Sequence, residues 1–193
     1  RAIRHVLDYL NIKDGVSITH LGDLPARSGL GSSSTFIVGL LQALSALQGK
    51  LLTKKELVDN SVFIERILMD EIGGVQDNVW ASFGGFNQID FKAGSEAIVI
   101  NPLIMNREFI GELEQSMFLL FSGISSVSSS VAKSYSDDFS GPKLLSYERL
   151  KDIAKNGADA VRNENIREMC QLLDDNWREK KSLSDKVSNT EID

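Results

Sequence analysis

Two carboxylates and one turn rich in Gly and Ser carry the residue types that could do chemistry in this sequence. Glu65 sits inside an apolar run, flanked by Phe63, Ile64, Ile67 and Leu68, and Asp77 ends the turn Gly73-Gly74-Val75-Gln76-Asp77. Twelve positions separate the two (77 − 65), enough for a helix end to fold back and bring both carboxylates toward one place. The turn is Pro25-Ala26-Arg27-Ser28-Gly29-Leu30-Gly31-Ser32-Ser33-Ser34-Thr35. Gly29 and Gly31 let the backbone turn tightly and approach a ligand, while Ser32 to Thr35 open a helix whose free N–H groups favour an anion. The hydroxyls of Ser32, Ser33 and Ser34 can donate to phosphate oxygens or accept a cation. A serine-capped helix start is the plainer account of any one such cluster, and an isolated Glu beside Arg66 ordinarily points to solvent. It is the two features together that point to a phosphate cradle with carboxylates at hand.

That combination fits phosphoryl transfer from a nucleotide, which needs backbone donors on the phosphates, a Mg²⁺ held by oxygen ligands and a carboxylate that positions the acceptor hydroxyl. Ser33 and Glu65 are the expected metal ligands, Gly29, Leu30, Gly31, Ser32, Ser33 and Ser34 the expected wrap around the ATP triphosphate, and Asp77 the group facing the acceptor. The cradle lacks the lysine of a Walker A loop after Gly31, and the chain lacks the partner motifs of protein kinases.

The elements that must position these groups follow from apolar spacing. Residues 2 to 11 read as a helix, and Val16, Ile18 and His20 alternate like a strand leading into the turn. His20 is read as packed or solvated rather than as a base. Phe36, Ile37, Leu40, Leu41, Leu44 and Leu47 form a core helix ending at Gly49, and Thr53-Lys54-Lys55-Glu56 opens a second helix, running to about Asp70, with a capping box. Asp77 is expected at the start of a short helix. Phe86 to Phe91 and Ala97 to Ile100 read as a hairpin at the edge of a first sheet, and Met117 to Phe121 as a short buried strand. The serines at 125, 126, 128, 129 and 130 read as a flexible lead into a helix over 131–137, and the Ser130-x-x-Lys133 match is too short to carry chemistry. Tyr147 to Val161 and Ile166 to Trp177 form an αα-hairpin with Cys170 on the buried stripe. A boundary is placed near residue 103, giving domains 1–102 and 103–193.

Composition narrows the partners. With 42% hydrophobic and 25% charged residues the chain is that of a folded protein, and a formal charge of -6 with scattered basic residues argues against a nucleic-acid surface. No uncharged stretch approaches the roughly 20 residues that span a bilayer, so no membrane partner is expected. One cysteine and no leader pattern suggest a cytoplasmic protein. Arg1 is not an initiator methionine and a helical pattern begins at once, so the sequence is expected to continue upstream.

Pro25-x-x-x-Gly29-Leu30-Gly31-Ser32-Ser33-Ser34 resembles the second motif of the GHMP kinases. Gly74-Val75-Gln76-Asp77, Gly84-Gly85-Phe86-Asn87, Trp177-x-x-Lys180-Lys181-x-Leu183 and Ser188-Asn189-x-Glu191-Ile192-Asp193 are similar to the D-glycero-D-manno-heptose 7-phosphate kinases. The resemblance implies an α+β chain holding part of a GHMP kinase fold: a lobe like ribosomal protein S5 domain 2, followed by part of a ferredoxin-like lobe. It implies ATP and Mg²⁺ as cofactors, a sugar or sugar-phosphate substrate phosphorylated on the C1 hydroxyl, Mg²⁺ on Ser33 and Glu65, and Asp77 against that hydroxyl. Where the heptose subgroup has T-G-I-S-R, this chain has Ser122-Gly123-Ile124-Ser125-Ser126, without the basic residue that would suit a phosphorylated sugar. Another sugar 1-kinase, galactokinase-like or fucokinase-like, and a non-catalytic nucleotide-binding module are the competing expectations. The family's first and third motifs should lie outside residues 1–193, so this chain alone is expected to bind ATP weakly and to turn over slowly or not at all.

Overall fold

The 3.6-residue period of the N-terminal half produces four helices, and the computed structural model shows how they stack. It describes residues 1–23, 29–71, 73–92, 97–120, 123, 131, 134, 141–190 and 192–193. The front of the Gly-Ser turn (25–28), the serine-rich stretch (125–130), the change at Ser122-Gly123-Ile124-Ser125-Ser126 apart from Gly123, and the 131–137 helix apart from Val131 and Ser134 lie outside the described residues. The contacts divide the chain into two units, Arg1–Gly84 with Gly123–Ser129, and Gly85–Ser122 with Ser130–Asp193.

In the first unit, α1 (Ala2–Tyr9), α2 (Ser32–Leu47), α3 (Lys54–Phe63) and α4 (Gln76–Phe83) gather around α2, which touches the other three. Ile37, Leu40, Leu41 and Leu44 of α2 meet Val6, Leu57, Ile64 and Met69 in one core cluster. Each fully buried aliphatic side chain of this kind contributes about 1.5–3 kcal/mol against exposure, which is what holds helices of eight and ten residues in place. Thr53 and Glu56 form the expected capping box at the start of α3. Lys54 Nζ donates to the carbonyl of Phe83 at 2.8 Å and lies 5.6 Å from the Phe83 ring centre, tying the end of α4 to the start of α3.

Rather than running on as an α-helix to Asp70, α3 passes into a π-helical turn over Ile64–Leu68, closed by the Met69 N–H on the Ile64 carbonyl at 2.9 Å. The wider turn keeps two consecutive side chains, Ile64 and Glu65, inside. The strand expected at Val16, Ile18 and His20 does not form: among the described residues the only sheet is a two-stranded one elsewhere in the chain. A strand needs a ladder partner, and here the side chains find helices instead. Ile18 packs on the helical core and the His20 ring meets Phe36 edge-on at 4.8 Å.

The second unit holds the antiparallel hairpin β1 (Asn87–Phe91) and β2 (Ile98–Pro102), with Ile89 opposite Ile100, followed by α5 (Arg107–Gln115), α6 (Pro142–Arg162) and α7 (Ile166–Leu183). Helices α6 and α7 pack together as the expected αα-hairpin. Arg162 donates to the Gln88 side chain at 2.5 Å, and the Asn106 backbone donates to Glu164 at 3.0 Å. These bonds join β1 and the start of α5 to the α6–α7 turn, so the hairpin falls in this unit although the sequence placed it before a boundary near 103. Of the buried strand expected over Met117–Phe121, Phe121 lies outside the described residues, and residues 117–120 are exposed, Leu120 at 79%, with no ladder partner among the described residues. Cys170 is exposed, correcting its place on the buried stripe. The inward stripe of α7 runs through Ile166, Met169, Leu172 and Leu183, and Cys170 lies about 100° round the helix from Met169. No helix among the described residues is long and apolar enough to cross a membrane.

Candidate active site

The Gly-Ser turn ends with Gly29 at φ +79° and Gly31 at φ +66°, left-handed backbone that suits residues without a Cβ. Gly31 is the N-cap of α2, and no side chain caps that end. Among the described residues the first-turn N–H groups of α2 therefore have no capping side chain, the arrangement a phosphate uses. Leu30, Ser32 and Ser33 are exposed, and Ser34 is buried.

Burial turns Ser34 toward Glu65. The hydroxyl lies 3.0 Å from Oε1 and 3.2 Å from Oε2, a forked donation that spans the carboxylate. Asn78 of α4 donates from Nδ2 to Oε2 at 2.8 Å. Glu65 is 9% exposed, and among the described residues no Lys or Arg pairs with it. Burial pushes its carboxyl above the ordinary range, the bonds from Asn78 and Ser34 pull it down, and the nearby charges of Glu71 and Asp77 push it up again.

Asp77 stands in the first turn of α4, as the sequence suggests, and lies directly over the cradle. A methyl group placed on Gly31 would be 3.2 Å from Cγ and 3.4 Å from Oδ2 of Asp77. Both carboxylates thus converge on the start of α2, Glu65 through Ser34 and Asp77 through Gly31. Ser33, the serine expected as a metal ligand, is exposed on the neighbouring position, and the hydroxyl that meets Glu65 is that of Ser34.

The contact at Gly31 is testable without any ligand. Gly31→Ala and Gly29→Ala both force an L-residue into left-handed backbone at about 1–2 kcal/mol, but none of the described residues lies within 4 Å of a Cβ at Gly29. Thermal denaturation should show the larger loss for Gly31→Ala, and equal losses would mean that Asp77 is free to leave the cradle.

Oxygen donors dominate the site. Among the described residues no group of three His, Cys, Asp or Glu side chains could hold a metal by itself. A buried carboxylate with no cationic partner among the described residues, bonded by Ser34 next in sequence to the exposed Ser33, suits a hard cation that takes its remaining oxygens from phosphate and water, which is how Mg²⁺ is usually held. The sequence reading missed Asn78 and Ser61. Ser61 and Glu65 are four apart on one helix face, and Asn78 is a polar residue beside Val79 in a short buried helix, so both were visible as polar positions on an apolar side.

The family profile for the GHMP kinases N terminal domain matches residues 1–85, closing where the first unit ends at Gly84. The D-glycero-alpha-D-manno-heptose 7-phosphate kinase of Campylobacter jejuni is 30% identical over 191 residues, covering 98% of this chain and 56% of that protein. The crystal structure of a D-glycero-D-manno-heptose 1-phosphate kinase from Bacteroides thetaiotaomicron superposes with a TM-score of 0.77 at 28% identity, over 96% of this chain and 56% of the other. Residues 1–85 form a GHMP kinase N-terminal domain. The chain's fold resembles that of a GHMP heptose kinase and holds Gly29 to Ser34, Glu65 and Asp77 in one unit, and the chain spans 56% of the length of each heptose kinase. A further relative, the bifunctional fucokinase/GDP-fucose pyrophosphorylase of Arabidopsis thaliana, is 26% identical over 93% of this chain and 17% of that protein.

Proposed function

We propose that these residues belong to an ATP-dependent sugar kinase that phosphorylates the C1 hydroxyl of D-glycero-D-manno-heptose 7-phosphate. The observation that carries this reading is the convergence of Ser34–Glu65 and Gly31–Asp77 on the open N-terminus of α2. The amides of Gly31 to Ser34 would receive the β- and γ-phosphates. Glu65, kept in place by Ser34, and the exposed Ser33 hydroxyl would hold Mg²⁺. Bound there, the cation supplies charge neutralisation on the phosphates. Asp77 would accept the C1 hydroxyl proton as that oxygen forms its bond to the γ-phosphorus and the bond to the β-phosphate oxygen breaks, releasing ADP.

Heptose 7-phosphate is favoured because the heptose 7-phosphate kinase is 30% identical over 98% of this chain, against 26% over 93% for the fucokinase. The fucokinase match supports a second reading, a 1-kinase for an unphosphorylated sugar. ADP release measured with heptose 7-phosphate, heptose, fucose and galactose, on residues 1–193 and on any longer chain containing them, separates the two. Turnover confined to heptose 7-phosphate is the expected result, and turnover of fucose alone would replace it with the second reading. Nucleotide binding with no turnover of any sugar by the longer chain would leave only a nucleotide-binding module.

A further inference from the structure

Asn78 has no exposed surface, and its amide has a defined orientation. Nδ2 carries two protons and meets two acceptors, Glu65 Oε2 at 2.8 Å and Ser61 Oγ at 3.1 Å, while the Ser61 proton goes to the Val58 carbonyl at 3.1 Å. Turning the amide over would press Oδ1 against the carboxylate, so the network admits one arrangement. Oδ1 is buried without a partner among the described residues. A side chain selected for filling space alone would not leave a buried oxygen unmatched, so the donors account for an amide at this position.

Asn78 also follows Asp77 directly. The first turn of α4 sends one side chain inward to Glu65 and the preceding one to Gly31, so anchoring Asn78 fixes the register in which Asp77 meets the cradle. We infer that Asn78 is the positioning residue of this site, holding Glu65 for the divalent cation and, through the register of α4, Asp77 over the phosphate turn. The inference rests on the kinase reading above and adds a residue to it. Residues that hydrogen-bond a metal ligand typically change metal affinity by about 10–100-fold when removed.

The test is the Mn²⁺ concentration that half-loads a longer chain containing these residues at saturating non-hydrolysable ATP analogue, read by electron paramagnetic resonance, with the melting temperature of each variant. Asn78→Ser is expected to raise that concentration about tenfold or more. Asn78→Gln, which keeps a carboxamide donor, should stay closer to the wild type and keeps the inference testable if the serine variant does not fold. Ser61→Ala removes the other partner of the same amide and should lower the melting temperature while leaving the Mn²⁺ midpoint in place. A midpoint for Asn78→Ser within twofold of wild type, or an equal shift in Ser61→Ala, overturns the inference while the kinase reading stands. A Glu65→Gln chain that loads Mn²⁺ like the wild type, or a wild-type chain that loads none, overturns both.

Discussion

In a longer chain containing these residues, Asp77→Asn is expected to lower kcat by about 10²–10⁴-fold on the sugar substrate while nucleotide affinity stays within about threefold of the wild type. The substitution keeps the shape and hydrogen-bonding reach of the side chain in the first turn of α4. What it removes is a basic oxygen, since an amide cannot take the proton that the acceptor hydroxyl must lose. Asp77 lies over Gly31, at the end of the cradle where a γ-phosphate would point toward an acceptor. A group there acts on the transition state rather than on ground-state binding, so KM for ATP should hardly move. The loss of its charge also removes one of the influences that push the Glu65 carboxyl upward. A coupled ADP assay beside a nucleotide titration reads both quantities, and a kcat reduced less than threefold would remove Asp77 from the chemistry.

The second large effect has opposite signs for stability and function. Glu65→Gln should abolish Mg²⁺-dependent turnover in a longer chain containing these residues and raise the melting temperature of the ligand-free chain at neutral pH. Glu65 is buried without a cationic partner, so its ionised form is disfavoured in the folded state. Because the folded carboxyl has the higher proton affinity, its burial costs nothing below the unfolded range, where both states are protonated. The cost appears as pH rises from the ordinary carboxylate range through the raised value, and it is complete above it. The gain from Glu65→Gln should therefore be largest at neutral pH and should vanish toward acid. For a chain of this size about 1 kcal/mol reads as about 2–4 °C. The new amide can still receive the Asn78 donor, and the Ser34 hydroxyl can accept where it now donates. Added Mg²⁺ and ATP should stabilise the wild type and leave the variant unchanged. A lower melting temperature for the variant at neutral pH would show that its hydrogen bonds outweigh the desolvation of Glu65. Such an exchange of stability for function is common where a site holds a buried charge.

The helices around the site were legible in local spacing. Ile37, Leu40, Leu41 and Leu44 repeat at helical intervals, the Thr53-to-Glu56 capping box announces α3, and the Gly pairs mark the turns before α4 and β1. Those patterns report on contacts within a few residues of each other, which sequence order preserves. Three expectations failed for the opposite reason. Val16 to His20 and Met117 to Leu120 carry strand-like composition, but a strand exists only with a partner, and among the described residues neither has one. Cys170 sits one position off the inward stripe of α7, a rotation that apolar spacing alone does not resolve.

By itself the sequence determined the cradle: two glycines free to take positive φ, three serines at a helix start, and a Glu and an Asp twelve residues apart. Only the tertiary structure decided how they are used. The π-helical turn at Ile64–Leu68 points Glu65 inward, the packing of α2, α3 and α4 brings Ser34 and Asn78 to it, and the start of α4 sets Asp77 over Gly31. The physical reason is that each of these contacts joins residues at least 12 positions apart, and their geometry depends on how three helices pack, which no local spacing encodes.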